Sequence, residues 1–349
     1  MNRCSVYLTL CTFLLTLQGC SRVSTLGLRS HQYSQVPTTI IWFQVPGLTT
    51  EQVAMLKFAK SSSEDLIAME NFTCQAQMWS YNLYDLRPKP ELGLISQMTG
   101  SKNVTTTCGK LPEKPFWDYF NERGYSVGVY EHGANADQSL YKSTRCLEAS
   151  SNWGEGLTLW LTQKSPKDLP ESQLFHYQDK SDFTSSELYY DRSCQQGESC
   201  YSGLYDNAAS IWRRFQNDRG LNVYVVRDFS YLNAIKSQNI SLARERLAEI
   251  EKTLGLFMYT KAASEKTLLL LTSSAAQHIE LPESGQQWDS FEKQGKHALF
   301  ERTSLTSPAF AKGPRAENFC GVFEENEVLG RMLFTPADKE LPAEIIDLF

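Results

Sequence analysis

The chain has 349 residues, 41% hydrophobic and 21% charged, with 34 Lys+Arg against 40 Asp+Glu for a net charge of -6. That balance excludes a disordered tail protein and a polytopic membrane protein, and the absence of a large basic patch excludes nucleic acid as a partner. Length alone allows two domains or one large α/β domain.

The first 20 residues read as an export signal. Arg3 supplies one positive charge, and Val6 to Leu17 is a mostly apolar stretch too short to span a bilayer. It closes on Leu17-Gln18-Gly19-Cys20, which resembles a bacterial lipobox, with small Gly19 before a Cys that is acylated and becomes the mature N-terminus. The alternative is an ordinary secretory signal with an incidental Cys. Two or three acyl chains, at about 0.8 kcal/mol per buried CH₂, anchor such a protein stably. Ser21, rather than Asp, resembles lipoproteins sent to the outer membrane. The expected location is therefore the bacterial cell envelope, on the outer membrane, facing the periplasm or the surface. Residues 1–19 are then the signal peptide, 20–36 the lipidated Cys and a polar tether, and 37–349 a single domain.

Thr38 to Val45 is a β-branched apolar run that predicts a buried parallel strand. Thr50 to Lys60 predicts a helix with Thr49 or Thr50 as N-cap. Phe116 to Arg123 predicts a short helix stopped at Gly124, followed by a strand over Tyr125 to Tyr130. Gly156 to Thr162 and Leu221 to Phe229 are further strands. Ile240, Ala243, Leu247, Ile250, Leu254 and Phe257 recur at spacings of three and four, one face of an amphipathic helix, with Gly255 marking its last turn. Lys266 to Thr272 is the last strong core strand. Alternating strands and helices predict an α/β fold, an open sheet with helices on both faces. Residues 163–205, polar and aromatic, read as an insertion or cap. Asn71, Asn103 and Asn239 begin glycosylation-type tripeptides, to which no role is assigned.

Of nine Cys, Cys4 and Cys11 leave with the signal and Cys20 carries lipid. Cys74, Cys108, Cys146, Cys194, Cys200 and Cys320 remain, an even number that predicts three disulfides in an oxidising compartment. Cys194 and Cys200 enclose five residues and form the firmest pair, a loop contributing about 2 kcal/mol on the chain-entropy model. A zinc site is the alternative, but Cys-x₅-Cys without a nearby His is poor zinc spacing.

The order of segments resembles the alkaline phosphatase/sulfatase superfamily, the sulfatase branch most, over about residues 38–335. Ile40 to Leu48 looks like the family's opening strand ending in Asp-Gly. Pro90 to Gly100 looks like the nucleophile helix closing on Leu-Thr-Gly. Pro115 to Phe120 and Arg123 to Gly128 resemble the helix and strand that follow, and Leu268 to Ser273 the strand running into Ser-Asp-His-Gly. Gly295-Lys296, Glu301 and Pro308 fall at spacings similar to the family's Gly-Lys…Glu…Pro segment. The resemblance implies a mostly parallel mixed sheet. It also implies a disulfide between Cys74 and Cys108, because the nucleophile-helix segment between them folds back, leaving Cys146 with Cys320.

In that family, carboxylates with a His or Asn hold divalent metals at strand ends while a Thr, Ser or Cys-derived nucleophile attacks phosphorus or sulfur in line. This sequence departs at each place. Pro46 stands where the first metal-binding Asp belongs. The nucleophile slot falls on Pro90, or on Lys89 or Glu91 if the register slides by one. Ser274-Ala275-Ala276 replaces Asp-His-Gly after Ser273. Lys296, His297 and Glu301 are candidates for a residual pocket, although a surface or half-buried histidine is the plainer reading of His297. His132 and His278 read as a polar strand end and an isolated histidine; His31 lies in the tether. Asp118 and Glu131 give one carboxylate per segment, which makes no metal site. No Gly-x-Ser-x-Gly elbow, phosphate-binding glycine loop or Cys-x-x-Cys pair occurs. Tyr189, Tyr190, Tyr201, Tyr205 and Trp212 could stack on sugars or anchor a protein, but packing of the insertion onto the sheet is the better reading.

These residues predict a lipoprotein with a catalytically inactive sulfatase-like domain, with no catalytic residues, metal or cofactor. Its expected partners are the membrane, through its lipid, and an envelope protein or glycan. The alternatives are a sulfate- or phosphate-ester hydrolase with a displaced site using a divalent metal such as calcium or zinc, and a glycan-binding module.

Overall fold

The apolar run after Thr38 forms the strand β1 (Thr39–Gln44), whose residues alternate between two fully buried faces. The computed structural model describes residues 35–59, 67–105, 114–141, 156–163, 175–194, 200, 203–216, 220–259, 266–288, 290–291 and 303–333. The signal peptide, Cys20 and most of the tether, Cys108, Cys146, Tyr201, Lys296, His297 and Glu301 lie outside the described residues.

A 3₁₀ turn (Glu51–Val53) leads into α1 (Ala54–Ala59). Thr49 supplies its cap reciprocally: Gln52 N donates to Thr49 Oγ1 (3.4 Å) and Thr49 N donates to Gln52 Oε1 (2.9 Å). Next come β2 (Cys74–Trp79), α2 (Pro90–Thr99), α3 (Phe116–Asn121) and β3 (Ser126–His132). They are followed by β4 (Leu157–Leu161), β5 (Phe175–His176), β6 (Leu188–Tyr190), α4 (Leu204–Phe215) and β7 (Asn222–Asp228). The chain continues with α5 (Ser230–Lys236), α6 (Ile240–Tyr259), β8 (Thr267–Thr272), β9 (Thr306–Lys312), β10 (Gly321–Glu324) and α7 (Glu327–Leu333).

The strands form one mixed sheet in the order β10-β2-β9-β8-β1-β7-β3-β4-β6-β5. Every pairing is parallel except those of β9 with β8 and β2. Ile41, Phe43, Tyr224, Val226, Leu269 and Leu271 face one helical layer, which includes α4, α5 and α6. Ile40, Trp42, Val223, Val225, Leu268 and Leu270 face the other, with α3 and α7. Burial on both faces explains why the central strands read as unbroken apolar runs.

Helix α6 ends at Tyr259, with Gly255 leading into its last turn as its sequence predicts and Phe257 and Met258 buried. One expectation changes. The described part of 163–205 joins the core rather than standing apart from it: β5 and β6 extend the sheet, and Tyr177, Tyr189 and Tyr190 are buried. Trp160 rings pack against Phe183, Tyr189, Phe215 and Tyr224 there.

The cysteine pairing is also corrected. Cys194–Cys200 is a disulfide, but Cys74 bonds Cys320, not Cys108, which removes the Cys146–Cys320 pair as well. The register is the reason. Gly321 of β10 pairs with Ala76 of β2, so Cys320 arrives beside the start of β2 with a Cα–Cα distance of 4.9 Å.

Candidate functional site

In open parallel sheets, ligands bind beyond the carboxyl ends of the strands. Here those ends carry a buried polar layer. Thr272 and Gln44 close β8 and β1, Arg227 and Glu131 stand one residue before the ends of β7 and β3, and the four are successive register partners, Gln44 with Thr272 and Arg227, and Arg227 with Glu131. All four are buried.

Helix α2 lies over this row and ties it together through Gln97. Thr272 Oγ1 donates to Gln97 Oε1 (2.7 Å), Gln44 Nε2 donates to the same oxygen (3.3 Å), and Trp42 Nε1 donates to Thr272 Oγ1 (2.8 Å). Gln97 Nε2 in turn donates to the Ser273 carbonyl (2.9 Å) and to Glu325 Oε1 (2.6 Å). Glu325 is fully buried, and that burial pushes its carboxyl up to about 7, offset in part by Ser274 and Gln97. A Cβ on Gly93 would stand 1.9 Å from Ser274 Oγ and 2.7 Å from Glu325 Oε2, so a side chain is excluded where α2 meets the strand ends.

The other half of the row is an ion pair. Arg227 Nη1 donates to Glu131 Oε1, and Glu131 also accepts from Ser139 Oγ (2.5 Å) and Leu140 N (2.7 Å). On the opposite face, Asp228 Oδ1 accepts from Ser230 Oγ (2.7 Å), while Oδ2 has no partner among the described residues. Burial raises the Asp228 carboxyl; nearby His132 and Ser230 oppose that shift. His132 Nδ1 is 3.2 Å from Tyr130 Oη, which accepts from Thr162 Oγ1 (2.9 Å).

The positions singled out in the sequence converge in part. Pro46 lies in the turn after β1, and Gly47 N donates to Ser274 O (2.9 Å), which joins that turn to the one after β8. Gly47 adopts φ 85°, and a Cβ there would sit 2.7 Å from Leu232 Cδ1, so the turn needs glycine. Ala275 follows at φ 46°, a left-handed conformation rare for alanine. Pro90 opens α2 at its first position, beside Glu91, whose charge acts on Arg227. Lys296, His297 and Glu301 are outside the described residues, so their place relative to this layer is not stated. His176 and His278 lie elsewhere, near Asp179 and Glu51 respectively.

Among the described residues, the donor set at these strand ends does not fit a divalent metal. Pro46 and Ala275 offer no side-chain ligand, Glu131 is engaged by Arg227, and Glu325 is hydrogen-bonded to Gln97. Among the described residues, no group of three His, Cys, Asp or Glu converges. Gln44, Gln97 and Glu325 were not anticipated from sequence. A polar residue closing an otherwise apolar strand was the available signal for Gln44 and for Arg227-Asp228.

Comparison with solved structures identifies the fold. The alkaline phosphatase of the Antarctic bacterium TAB5 superposes with a TM-score of 0.63 at 15% identity, covering 86% of this chain and 98% of that one. The alkaline phosphatase of Thermus thermophilus gives 0.64 at 13% identity, covering 89% and 94%. The lipoteichoic acid synthase LtaP of Listeria monocytogenes gives 0.50 at 11%, covering 87% and 73%. No family model matches the sequence, and no curated protein matches it. The chain thus has an alkaline-phosphatase-like α/β fold.

Proposed function

We propose that this chain is a lipid-anchored outer-membrane protein whose alkaline-phosphatase-like domain binds an envelope protein or glycan and does not catalyse. One observation carries the reading. Where the resembling enzymes hold metal ligands, this chain has Pro46, Ser274 and Ala275 in two hydrogen-bonded turns above an interlocked layer of amides, hydroxyls and paired charges. Metal and nucleophile supply most of the barrier lowering in ester transfer, and each factor of ten in rate is about 1.4 kcal/mol. Removing both leaves no useful turnover.

The test is metal analysis of the purified protein together with turnover of aryl phosphate and aryl sulfate esters. The expected result is neither metal near one equivalent nor hydrolysis, and Pro46→Asp alone stays inactive and metal-free. Bound zinc, calcium or manganese would overturn the reading. Hydrolysis lost in Lys296→Ala or His297→Ala would put a displaced-site hydrolase in its place. Palmitate-analogue labelling tests the anchor: signal on the natural chain and none on Cys20→Ser.

A further inference from the structure

Among the described residues, six of the eight exposed large apolar side chains come from adjoining segments: Trp79, Leu83, Tyr84, Leu86, Leu305 and Val322. Hydrogen bonds hold those segments together. Ser80 N donates to Leu305 O (2.9 Å), Arg87 Nε donates to Thr303 O (2.8 Å), and Leu83 N donates to Lys102 O (3.1 Å). The 82–85 turn is braced by Asn82 Oδ1, which accepts from Tyr84 N (2.8 Å) and Asp85 N (2.7 Å). Leu83 and Leu86 are thus held out, 66% and 69% exposed, on a hydrogen-bonded turn. The turn leads directly into α2.

We propose that this turn is a membrane-contact surface that inserts Leu83 and Leu86 into a lipid bilayer. The chemistry favours lipid over a protein. Trp79 and Tyr84 are amphipathic rings of the kind that settle at the headgroup level, and exposed Arg87 and Lys89 beside the aliphatic tips outweigh the one exposed acid of the turn, Asp85. A standard protein interface takes about 20 to 30 residues a side, far more than this projecting turn offers. The length of the N-terminal segment is compatible. Trp79 closes β2 at the same end of the sheet as Gln44, while the tether enters at Thr39, the other end. The 18 residues between Cys20 and Thr39 reach about 60 Å extended, against about 20 Å for a six-residue strand. The tether therefore has length to spare past the sheet. This inference builds on the lipoprotein reading, but its test does not use the acyl chain.

The experiment is flotation of the chain from residue 21, which lacks Cys20, with vesicles of phosphatidylethanolamine and phosphatidylglycerol. The natural sequence is expected to float with the vesicles, and brominated lipid to quench fluorescence that Trp79→Phe removes. Leu83→Asp with Leu86→Asp should lower partitioning by roughly 100-fold, about tenfold per leucine, with circular dichroism and Tm unchanged. No flotation of the natural sequence, or equal flotation of the double variant, overturns the proposal. So does concentration-dependent dimerisation abolished by the same variant without vesicle binding, which would assign the surface to a second copy. Failure of palmitate labelling would strike the lipoprotein reading and leave this result intact.

Discussion

Glu325→Gln isolates one strongly perturbed group in the strand-end layer. The folded carboxyl titrates at about 7 against an ordinary 4.5, so the native state holds a proton that the unfolded chain has released. Stability from this group is therefore fully present below about pH 4.5 and is lost as pH rises through 7. The difference of about 2.5 units at 1.36 kcal/mol each is roughly 3 kcal/mol at pH 8. Gln keeps the size, and its amide oxygen can still accept from Gln97 Nε2, but it carries no charge at any pH. Thermal and guanidinium unfolding at pH 5 and pH 8 should show the variant gaining about 3 kcal/mol on the natural protein between the two, or roughly 5 °C in Tm for a domain this large. Identical pH slopes for the two proteins would refute the assignment of a raised carboxyl at this position.

Four further outcomes follow from packing and covalent structure. Gly93→Ala should cost about 1–3 kcal/mol in urea unfolding through its clashes with Ser274 Oγ and the Glu325 carboxylate, and Ser274→Ala should restore only part of it. Arg227→Ala strands the Glu131 carboxylate in the interior and should cost about 3–5 kcal/mol, while Arg87→Ala at the surface changes stability little. Non-reducing peptide mapping should return Cys74 linked to Cys320, and a Cys74–Cys108 peptide would overturn that pairing. Removing Cys74–Cys320 by double Ala substitution should cost up to about 5 kcal/mol on the chain-entropy model, against about 2 for Cys194–Cys200.

Most of the sheet centre was legible in the sequence because it is apolar on both faces: β1, β3, β4, β7 and β8 lie where the runs of Ile, Leu and Val predicted them. The edges were not. Cys74–Trp79 alternates buried and exposed residues with glutamines between, and β5 spans two residues, too little for periodicity to register. The disulfide at Cys74 was misread for the same reason, since its partner is set by a pairing between strands about 250 residues apart. In the candidate site, strand-end turns such as Pro46 and Ser274 could be located by the resemblance, because each follows a readable strand. Gln97 and Glu325 could not. Their importance comes from α2 and the segment after β10 meeting over β1, a juxtaposition that no local pattern encodes.

The sheet order also governs the sequence of assembly. β1 is synthesised first among the strands, yet its two neighbours are Asn222–Asp228 and Thr267–Thr272. A chain emerging from its N-terminus therefore holds a strongly apolar strand without a partner until more than 180 further residues have followed, since Thr39 pairs with Asn222. The far edge waits longer still, because β2 is bordered by β9 and β10. Such distant pairings slow folding and leave unpaired apolar strands open to misassociation. A protein built this way should depend on a holding chaperone during synthesis, and truncations that end before Thr272 should aggregate rather than form a smaller stable domain.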